Sequence, residues 1–321
     1  MLVCGVSSAA SPPVYGPRLD GFEYPHPVKT FQFTSQRQVL EMAYMDVKPA
    51  KPNGRTLVLL HGKNFCAATW ARTIDALAKA GYRVIAPDQI GFCKSSKPTQ
   101  YQFSFQQLAS NTHALLASIG AEKVTLMGHS MGGMLATRFA LMYPEQSEQL
   151  VMVNPIGLED WKALGVPYRS VDDWYARELK TTAESLHKYQ LSTYYAGEWR
   201  AEFDQWVEMQ AGMLRGAGKE LVAWNSALTA DMIMSQPVLY EFPQLQMPVL
   251  LLIGELDNTA LGKDAASPAV QKTLGNYREL GPKTAKAIPR ARLITFADLG
   301  HSPQIQAPDR FHAALLTGLA Q

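Results

Sequence analysis

Six short apolar runs, separated by helical segments, constrain the fold of this chain more than any other feature of its sequence. Each run is nearly continuous in apolar residues and ends at glycine or polar residues, which is typical of parallel strands covered on both faces. The alternation predicts a doubly wound α/β fold with a mostly parallel sheet. The runs are RTLVLLHG, YRVIAPDQ, KVTLMGHS, EQLVMVNP, MPVLLLIGELD and ARLITFADLGH.

Two further segments near the N-terminus alternate apolar and polar residues. KTFQFTS and QVLEMAYMDV follow each other closely and predict a hairpin of half-exposed strands, which gives a sheet of about eight strands in total. Helices are expected between most of the strands. Their segments are AATWARTIDALAKAG, SFQQLASNTHALLASIG, MGGMLATRFALMYPE and, at the end of the chain, IQAPDRFHAALLTGLA.

One interval interrupts this alternation. Residues 156–246 carry helical periodicity without strand-like runs, and they are too many for a loop within a compact domain. We therefore expect a helical cap inserted into an α/β core formed by residues 29–155 and 247–321. Residues 1–28 are expected to form either the remnant of a signal sequence or an extended arm.

The charge balance argues against several classes of partner. The chain has 30 Lys and Arg residues against 28 Asp and Glu residues and no block of like charge. Neither nucleic acid nor an anionic membrane surface is therefore an expected partner. No apolar run reaches the ~20 residues needed to span a bilayer, so no stable membrane anchor is expected.

The first residues, MLVCGVSSAASPPVYGP, are similar to the end of a secretory signal peptide without its basic n-region. A periplasmic or secreted location is therefore expected, and a cytoplasmic location is the alternative.

The segment VTLMGHSMGG brackets Ser130 with Gly128 and Gly132 where a predicted strand gives way to a predicted helix. A serine hydroxyl is a weak nucleophile at neutral pH and needs both an adjacent base and an exposed position. A sharp strand-to-helix turn provides that position, and its tight backbone leaves room only for glycine at the flanking sites. Ser130 is therefore the predicted nucleophile, and the N–H of Met131, at the start of the helix, is a predicted donor to an oxyanion.

This G-x-S-x-G motif in its strand–helix context resembles the nucleophile elbow of the α/β-hydrolase family, and the resemblance covers almost the whole chain from about Lys29 onward. The family's chain order is nucleophile, acid, histidine. Asp257 follows the first predicted strand after the insertion, where the resemblance places the acid. His301 follows the last predicted strand, where it places the base. Glu159 and Asp160, after the sixth strand, are the alternative acids.

The resemblance also implies an oxyanion loop in the segment LLHGKNF. The backbone N–H of Lys63 would join that of Met131 as an oxyanion donor, and the side chains of Lys63 and Asn64 would line the substrate pocket. His129, the variable residue of the elbow, is the second candidate for substrate contact beside Asn64. His61 is expected to hold the oxyanion loop.

The chain has three cysteines. Cys4 lies in the signal-like segment, whereas Cys66 and Cys93 lie at the ends of the third and fourth strands, which are expected neighbours in this fold. Adjacent strands are about 4.8 Å apart, within the Cα separation of roughly 4.4–6.8 Å that a disulfide needs. The sequence leaves open whether Cys66 and Cys93 form a disulfide or two buried thiols. It has neither metal-ligand spacing nor a phosphate-binding loop, so no metal and no cofactor are expected.

Together these residues predict a serine hydrolase that cleaves a small-molecule carboxylic ester through an acyl-enzyme. The alternatives are the same triad acting on a C–C bond of a dienoic diketone, on an amide or in perhydrolysis, and a non-enzymatic ligand receptor on the same fold. Serine at the elbow disfavours the haloalkane dehalogenase and epoxide hydrolase branches, which place an aspartate there. The sequence does not specify the oligomeric state.

Overall fold

The computed structural model of the protein describes residues 11–320 and builds them around an eight-stranded sheet. The strands are β1 Val28–Ser35, β2 Gln38–Val47, β3 Thr56–Leu60, β4 Arg83–Pro87, β5 Val124–His129, β6 Ser147–Val153, β7 Val249–Gly254 and β8 Ala291–Phe296. Their order across the sheet is β1-β2-β4-β3-β5-β6-β7-β8. The strands from β3 to β8 run parallel to one another, which confirms the predicted doubly wound, mostly parallel fold.

The predicted hairpin is formed by β1 and β2, and β2 continues antiparallel onto β4. From β3 the chain moves to β4 on one side and then crosses to β5 on the other side. The strand order therefore reverses at β3. In open α/β sheets, ligands bind beyond the carboxyl ends of the strands at such a reversal.

Successive residues of the central strands pack into two separate hydrophobic cores. Leu57 and Leu59 belong to one cluster, while Val58 and Leu60 of the same strand belong to the other. Side chains of a strand point alternately to the two faces of the sheet, so both faces of β3 are buried. This explains why the strand sequences are continuous in apolar residues.

Helices cover both faces of the sheet. They are α1 Ala71–Lys79, α2 Phe105–Ser118, α3 Met131–Met142, α4 Val171–Glu178, α5 Ala183–Tyr189, α6 Asp204–Arg215, α7 Lys219–Ser235, α8 Pro268–Gln271, α9 Tyr277–Ala287, α10 Pro303–Gln306 and α11 Pro308–Leu319. The predicted last helix is divided into α10 and α11, because Pro308 lacks an N–H and begins a new helix. Among residues 11–320, no helix combines the length and the apolar character that a bilayer crossing requires.

The segment between β6 and β7 contributes only helices to the described part of the chain, α4 to α7 with shorter helical turns. Helix α5 continues directly into a π-helical turn, Gln190–Tyr194. We call residues 183–194 the support helix. Helices α4 and α7 pack against each other, as do α5 and α6.

An N-terminal arm lies between this helical segment and the core. The N–H of Tyr15 donates to the carbonyl of Gly212 in α6 at 2.9 Å, and a Cβ at Gly212 would lie only 2.3 Å from the Tyr15 ring. Further along the arm, Leu19 is fully buried. Residues 1–10 of the signal-like segment, Cys4 among them, lie outside the described residues.

Candidate active site

Ser130 occupies a sharp turn between β5 and α3, with φ 57° and ψ −123°. A left-handed φ of this kind is strained for a residue with a side chain. A Cβ at Gly128 would lie 2.0 Å from the carbonyl oxygen of Gly132, and one at Gly132 would lie 2.1 Å from the carbonyl oxygen of Leu60. The turn can therefore form only because both flanking residues are glycine, for the steric reason that the sequence indicates.

Asp257 follows β7, and His301 follows β8, so the adjacent ends of two paired strands bring them together. The Nδ1 atom of His301 lies 2.6 Å from Oδ2 of Asp257, and both side chains are buried. A carboxylate accepts only, so Nδ1 is the donor of this hydrogen bond, and in a neutral imidazole the free electron pair is then on Nε2. This is the tautomer that a general base requires.

Asp257 receives three further hydrogen bonds. Its Oδ1 accepts from the backbone N–H of Thr259 at 2.8 Å and from the Thr259 hydroxyl at 2.7 Å, while its Oδ2 also accepts from Nδ2 of Asn154 at 2.9 Å. Asn154 follows β6 and also bonds both backbone groups of Gly254. Sequence analysis missed Asn154, because only the assembled sheet brings the ends of β6 and β7 together.

Ser130 and His301 line one cavity of about 730 Å³. The Nε2 atom of His301 has no hydrogen-bond partner among residues 11–320. A hydrogen bond between Ser130 and His301 is therefore not formed in this structure. Such bonds are often long without substrate and tighten when it binds.

The residues expected to form the oxyanion loop lie in a tight turn at residues 62–65, which we call the oxyanion turn after its predicted role. The Phe65 N–H donates to the Gly62 carbonyl across this turn at 3.1 Å. Within the described part of the chain, the backbone N–H groups of Lys63 and Met131 have no protein acceptor. His61 holds this turn, because its ring bonds the Gly62 carbonyl at 2.8 Å and accepts from the N–H of Gln89 at 3.0 Å. Burial lowers the pKa of His61, which keeps its ring neutral.

The Lys63 and Asn64 side chains line the cavity. The Lys63 ammonium lies 2.8 Å from Oε1 of Glu178 and 2.6 Å from the Ser226 hydroxyl, so it connects the oxyanion turn to α4 and α7. Nδ2 of Asn64 donates to the hydroxyl of Tyr194 at 2.9 Å.

The structure corrects the expectation for His129. Its ring is 1% exposed, packs against Phe65 and does not line the cavity. Nε2 of His129 donates instead to the carbonyl of His301 at 2.8 Å. Burial lowers the pKa of His129, and the neighbouring His301 lowers it further, so the His129 ring is neutral and lies against His301, the predicted base.

The two alternative acids lie away from His301. Oε1 of Glu159 accepts from the indole N–H of Trp161 and from the N–H of Gly275. Asp160 accepts from the Tyr240 hydroxyl. Of the three candidate acids, Asp257 alone bonds the histidine.

Comparison with known proteins agrees with this arrangement of elements. A family model described as the alpha/beta hydrolase fold matches residues 55–308. The chain belongs to the α/β-hydrolase fold family.

Among solved structures, this α/β hydrolase is similar to a probable hydrolytic enzyme from Pseudomonas aeruginosa PAO1, at 68% identity and a TM-score of 0.95 over 96% of this chain and 99% of the other. A 2-hydroxy-6-oxononadienedioate/2-hydroxy-6-oxononatrienedioate hydrolase of Paraburkholderia phymatum is 28% identical over 295 residues, which cover 88% of this chain and 92% of that protein. A 2-hydroxy-6-oxo-6-phenylhexa-2,4-dienoate hydrolase of Burkholderia cepacia is 36% identical over 108 residues, 33% of this chain and 38% of its own. The family and these relatives support a hydrolytic enzyme.

In this α/β hydrolase a disulfide joins Cys66 and Cys93, whose Cα atoms are 6.0 Å apart. Both cysteines line the cavity. With Asp88 they form a group of potential metal ligands in the described part of the chain. The disulfide engages both sulfurs, and the Asp88 carboxylate already accepts from the N–H of Ala67 and the hydroxyl of Tyr24. These residues are therefore poorly suited to hold a metal ion.

Lys97 is a buried lysine in the cavity wall. The sequence did not identify it as a site residue. Its ammonium donates to the carbonyl of Cys93 at 2.5 Å, and no carboxylate of the described residues forms an ion pair with it. Burial lowers the pKa of Lys97 to about 7. With this pKa, the Lys97 amine changes between its charged and neutral forms within the physiological pH range.

Proposed function

We propose that this protein is a serine hydrolase that cleaves a carboxylic ester through an acyl-enzyme, with Ser130, His301 and Asp257 as its triad. The observation that carries the proposal is the strained Ser130 elbow sharing one cavity with a buried histidine whose Nδ1 bonds a carboxylate at 2.6 Å. A strained serine in the wall of a cavity that also contains an imidazole held at Nδ1 by a carboxylate is the arrangement that nucleophilic catalysis needs.

In the proposed reaction, Nε2 of His301 removes the proton from the Ser130 hydroxyl as the oxygen attacks the substrate carbonyl. The N–H groups of Met131 and Lys63 stabilise the oxyanion that forms. His301 then protonates the leaving alcohol, and the acyl group stays on Ser130. A water molecule, deprotonated by His301, releases the acid in the second half of the cycle.

The helical insertion, residues 156–246, is proposed as a cap that selects the acyl group. It contributes an apolar portion of the cavity wall, which suits a small or medium acyl chain. The apolar side chains of this portion are Ile156, Trp174, Leu186, Met209, Met213, Leu214, Val222, Ala223 and Ile233.

Cleavage of a C–C bond is the second candidate. It is favoured by the relatives named as hydrolases of 2-hydroxy-6-oxo-dienoates, one of which matches 88% of this chain. The same nucleophile and base would act in that case. The two candidates differ in the substrate that the cavity accepts.

The discriminating experiment is a screen of p-nitrophenyl esters from acetate to laurate alongside a 2-hydroxy-6-oxo-dienoate, with Ser130→Ala as the background. Ester turnover that disappears in Ser130→Ala, together with labelling of Ser130 by a fluorophosphonate, is the expected result. Turnover of the dienoate with negligible ester turnover would favour the second candidate. Loss of neither activity in Ser130→Ala would refute the serine mechanism.

We also propose a periplasmic or secreted location. Disulfides form and persist in oxidising compartments, and the Cys66–Cys93 pair supports this choice over the cytoplasm. Fractionation of the source organism with an antibody to the protein tests it, and recovery in the cytoplasmic fraction alone would overturn it.

A further inference from the structure

We infer that Tyr194 is a positioning residue for His301, and that the C-terminal end of the support helix (183–194) holds the acid and base in place. The inference rests on the proposed triad. It assigns part of the catalytic geometry to the helical insertion, which would otherwise be expected to affect only substrate selection.

The last carbonyl groups of a helix have no partner within the helix and must find donors elsewhere. At and just beyond the end of the support helix, four consecutive carbonyls, those of residues 192 to 195, accept hydrogen bonds from His301, from the neighbours of Asp257 and His301, and from helix α10. The bonds are Asn258 Nδ2 to Ser192 at 3.2 Å, His301 N to Thr193 at 3.1 Å, Ser302 N to Tyr194 at 3.2 Å and Gln306 Nε2 to Tyr195 at 3.0 Å.

The end of the support helix lies very close to the backbone of Gly300, which directly precedes His301. A Cβ at Gly300 would lie 2.7 Å from the Tyr194 carbonyl oxygen and 3.0 Å from that of Thr193. Only glycine permits this approach, because either carbonyl would collide with a larger residue. The backbone on both sides of the His301 ring is therefore fixed by the insertion.

The Tyr194 side chain extends this support to the imidazole itself. Its ring centroid lies 5.0 Å from that of His301, with 33° between the planes. The His129 ring also contacts the imidazole, with centroids 4.8 Å apart. The two neighbouring rings restrict rotation of the imidazole away from Ser130.

The Tyr194 hydroxyl reaches the other half of the site. It accepts from Nδ2 of Asn64, beside the predicted oxyanion donor Lys63, while the Tyr194 ring packs on Phe65 at 5.2 Å. Burial keeps the phenol protonated by raising its pKa. One uncharged side chain thus contacts both the base and the oxyanion turn.

The test compares Tyr194→Leu, which removes the ring, with Tyr194→Phe, which removes only the hydroxyl. We expect Tyr194→Leu to lower kcat for a p-nitrophenyl ester about 100-fold with KM changed less than about threefold, because a misplacement of ~1 Å at a catalytic group can cost that much. Tyr194→Phe should recover at least about tenfold of this loss, since the ring remains. The rate of Ser130 labelling by a fluorophosphonate should fall in parallel with kcat.

Tyr240→Leu is the matched control, because Tyr240 is 62% exposed and contacts Asp160 instead of the triad. It should leave kcat, KM and the labelling rate unchanged.

A change in KM alone for Tyr194→Leu, or equal kcat in wild type and both Tyr194 variants, would overturn the inference. If Tyr194→Leu does not fold, as judged by circular dichroism, Tyr194→Ile in the same assays decides. If neither folds, a kcat of Tyr194→Phe more than about tenfold below that of wild type overturns the inference, because the ring that contacts His301 is retained in that variant. Failure of the proposed function gives a different result, since wild-type activity would then survive in Ser130→Ala.

Discussion

Replacing Asp257 by asparagine tests the geometry of the acid most directly. The variant keeps the shape of the side chain but exchanges one acceptor oxygen for an NH₂ group. In the structure every neighbour of the carboxylate is a donor: Thr259 at Oδ1, and His301 and Asn154 at Oδ2. Whichever way the amide is turned, its NH₂ group must therefore face a donor.

The two orientations have different consequences. If the NH₂ group faces Thr259, it opposes a backbone N–H that cannot turn away. If it faces His301, the imidazole can accept at Nδ1 only by moving its proton to Nε2, the atom that must take the proton of Ser130. We expect the second orientation to dominate function and to lower kcat about 10⁴-fold, as a wrong histidine tautomer does elsewhere. That factor corresponds to roughly 5.5 kcal/mol of transition-state stabilisation.

The assay is kcat for the best p-nitrophenyl ester at pH 8, with Ser130→Ala as background and Asp160→Asn as the matched control. Asp160 bonds the Tyr240 hydroxyl and not the histidine, so its variant should remain within about threefold of wild type. Full activity in Asp257→Asn combined with a large loss in Asp160→Asn would refute the reasoning and transfer the acid to the end of β6.

Three further perturbations test other contacts. Lys97→Met should raise Tm near pH 6 more than near pH 10. The pKa of Lys97 is lowered from 10.5 to about 7, so the stability of the wild type rises with pH across that window, by up to about 5 kcal/mol. An equal change in Tm at both pH values would contradict this. Thiol titration of denatured, unreduced protein should leave Cys66 and Cys93 unlabelled until a reductant is added, and labelling of both beforehand would exclude the disulfide. Gly212→Ala should lower Tm because its Cβ would lie 2.3 Å from the Tyr15 ring, and the effect should vanish when residues 1–18 are deleted; persistence in the deletion variant would mean that the arm is not the cause.

The parts of the molecule that the sequence predicted are those governed by local or strongly periodic requirements. Apolar runs such as KVTLMGHS predicted the strands, because a strand such as β5 is buried along its whole length and therefore has a continuous apolar sequence. The elbow could be located because the flanking glycines are required by contacts within a few residues, as at Gly128 and Gly132. The pairing of Asp257 with His301 could be predicted only from the chain order of the family, because a separation of 44 residues is too long for a local pattern to connect the two.

The remaining features depend on tertiary contacts that no sequence period encodes. Lys63 reaches Glu178, 115 residues away, and Ser226, 163 residues away. His129 is an example, because the sequence identifies it as the variable residue of the elbow and predicts a substrate contact for it. The assembled fold instead directs the His129 ring toward His301, where it bonds the His301 carbonyl.

The two sides of the site are held by different parts of the molecule, and this limits how the cavity can open. The Ser130 turn is fixed by the sheet, through its N–H bond to the Val153 carbonyl. The backbone at His301 is held by peptide carbonyls at the end of the support helix, and these hydrogen bonds break if that helix end moves away. The contacts of α4 and α7 with the oxyanion turn include the single Lys63 ammonium, which bonds the Glu178 and Ser226 side chains and can exchange them for water. If the cavity opens while His301 stays in place, we therefore expect α4 and α7 to move and the end of the support helix to stay docked.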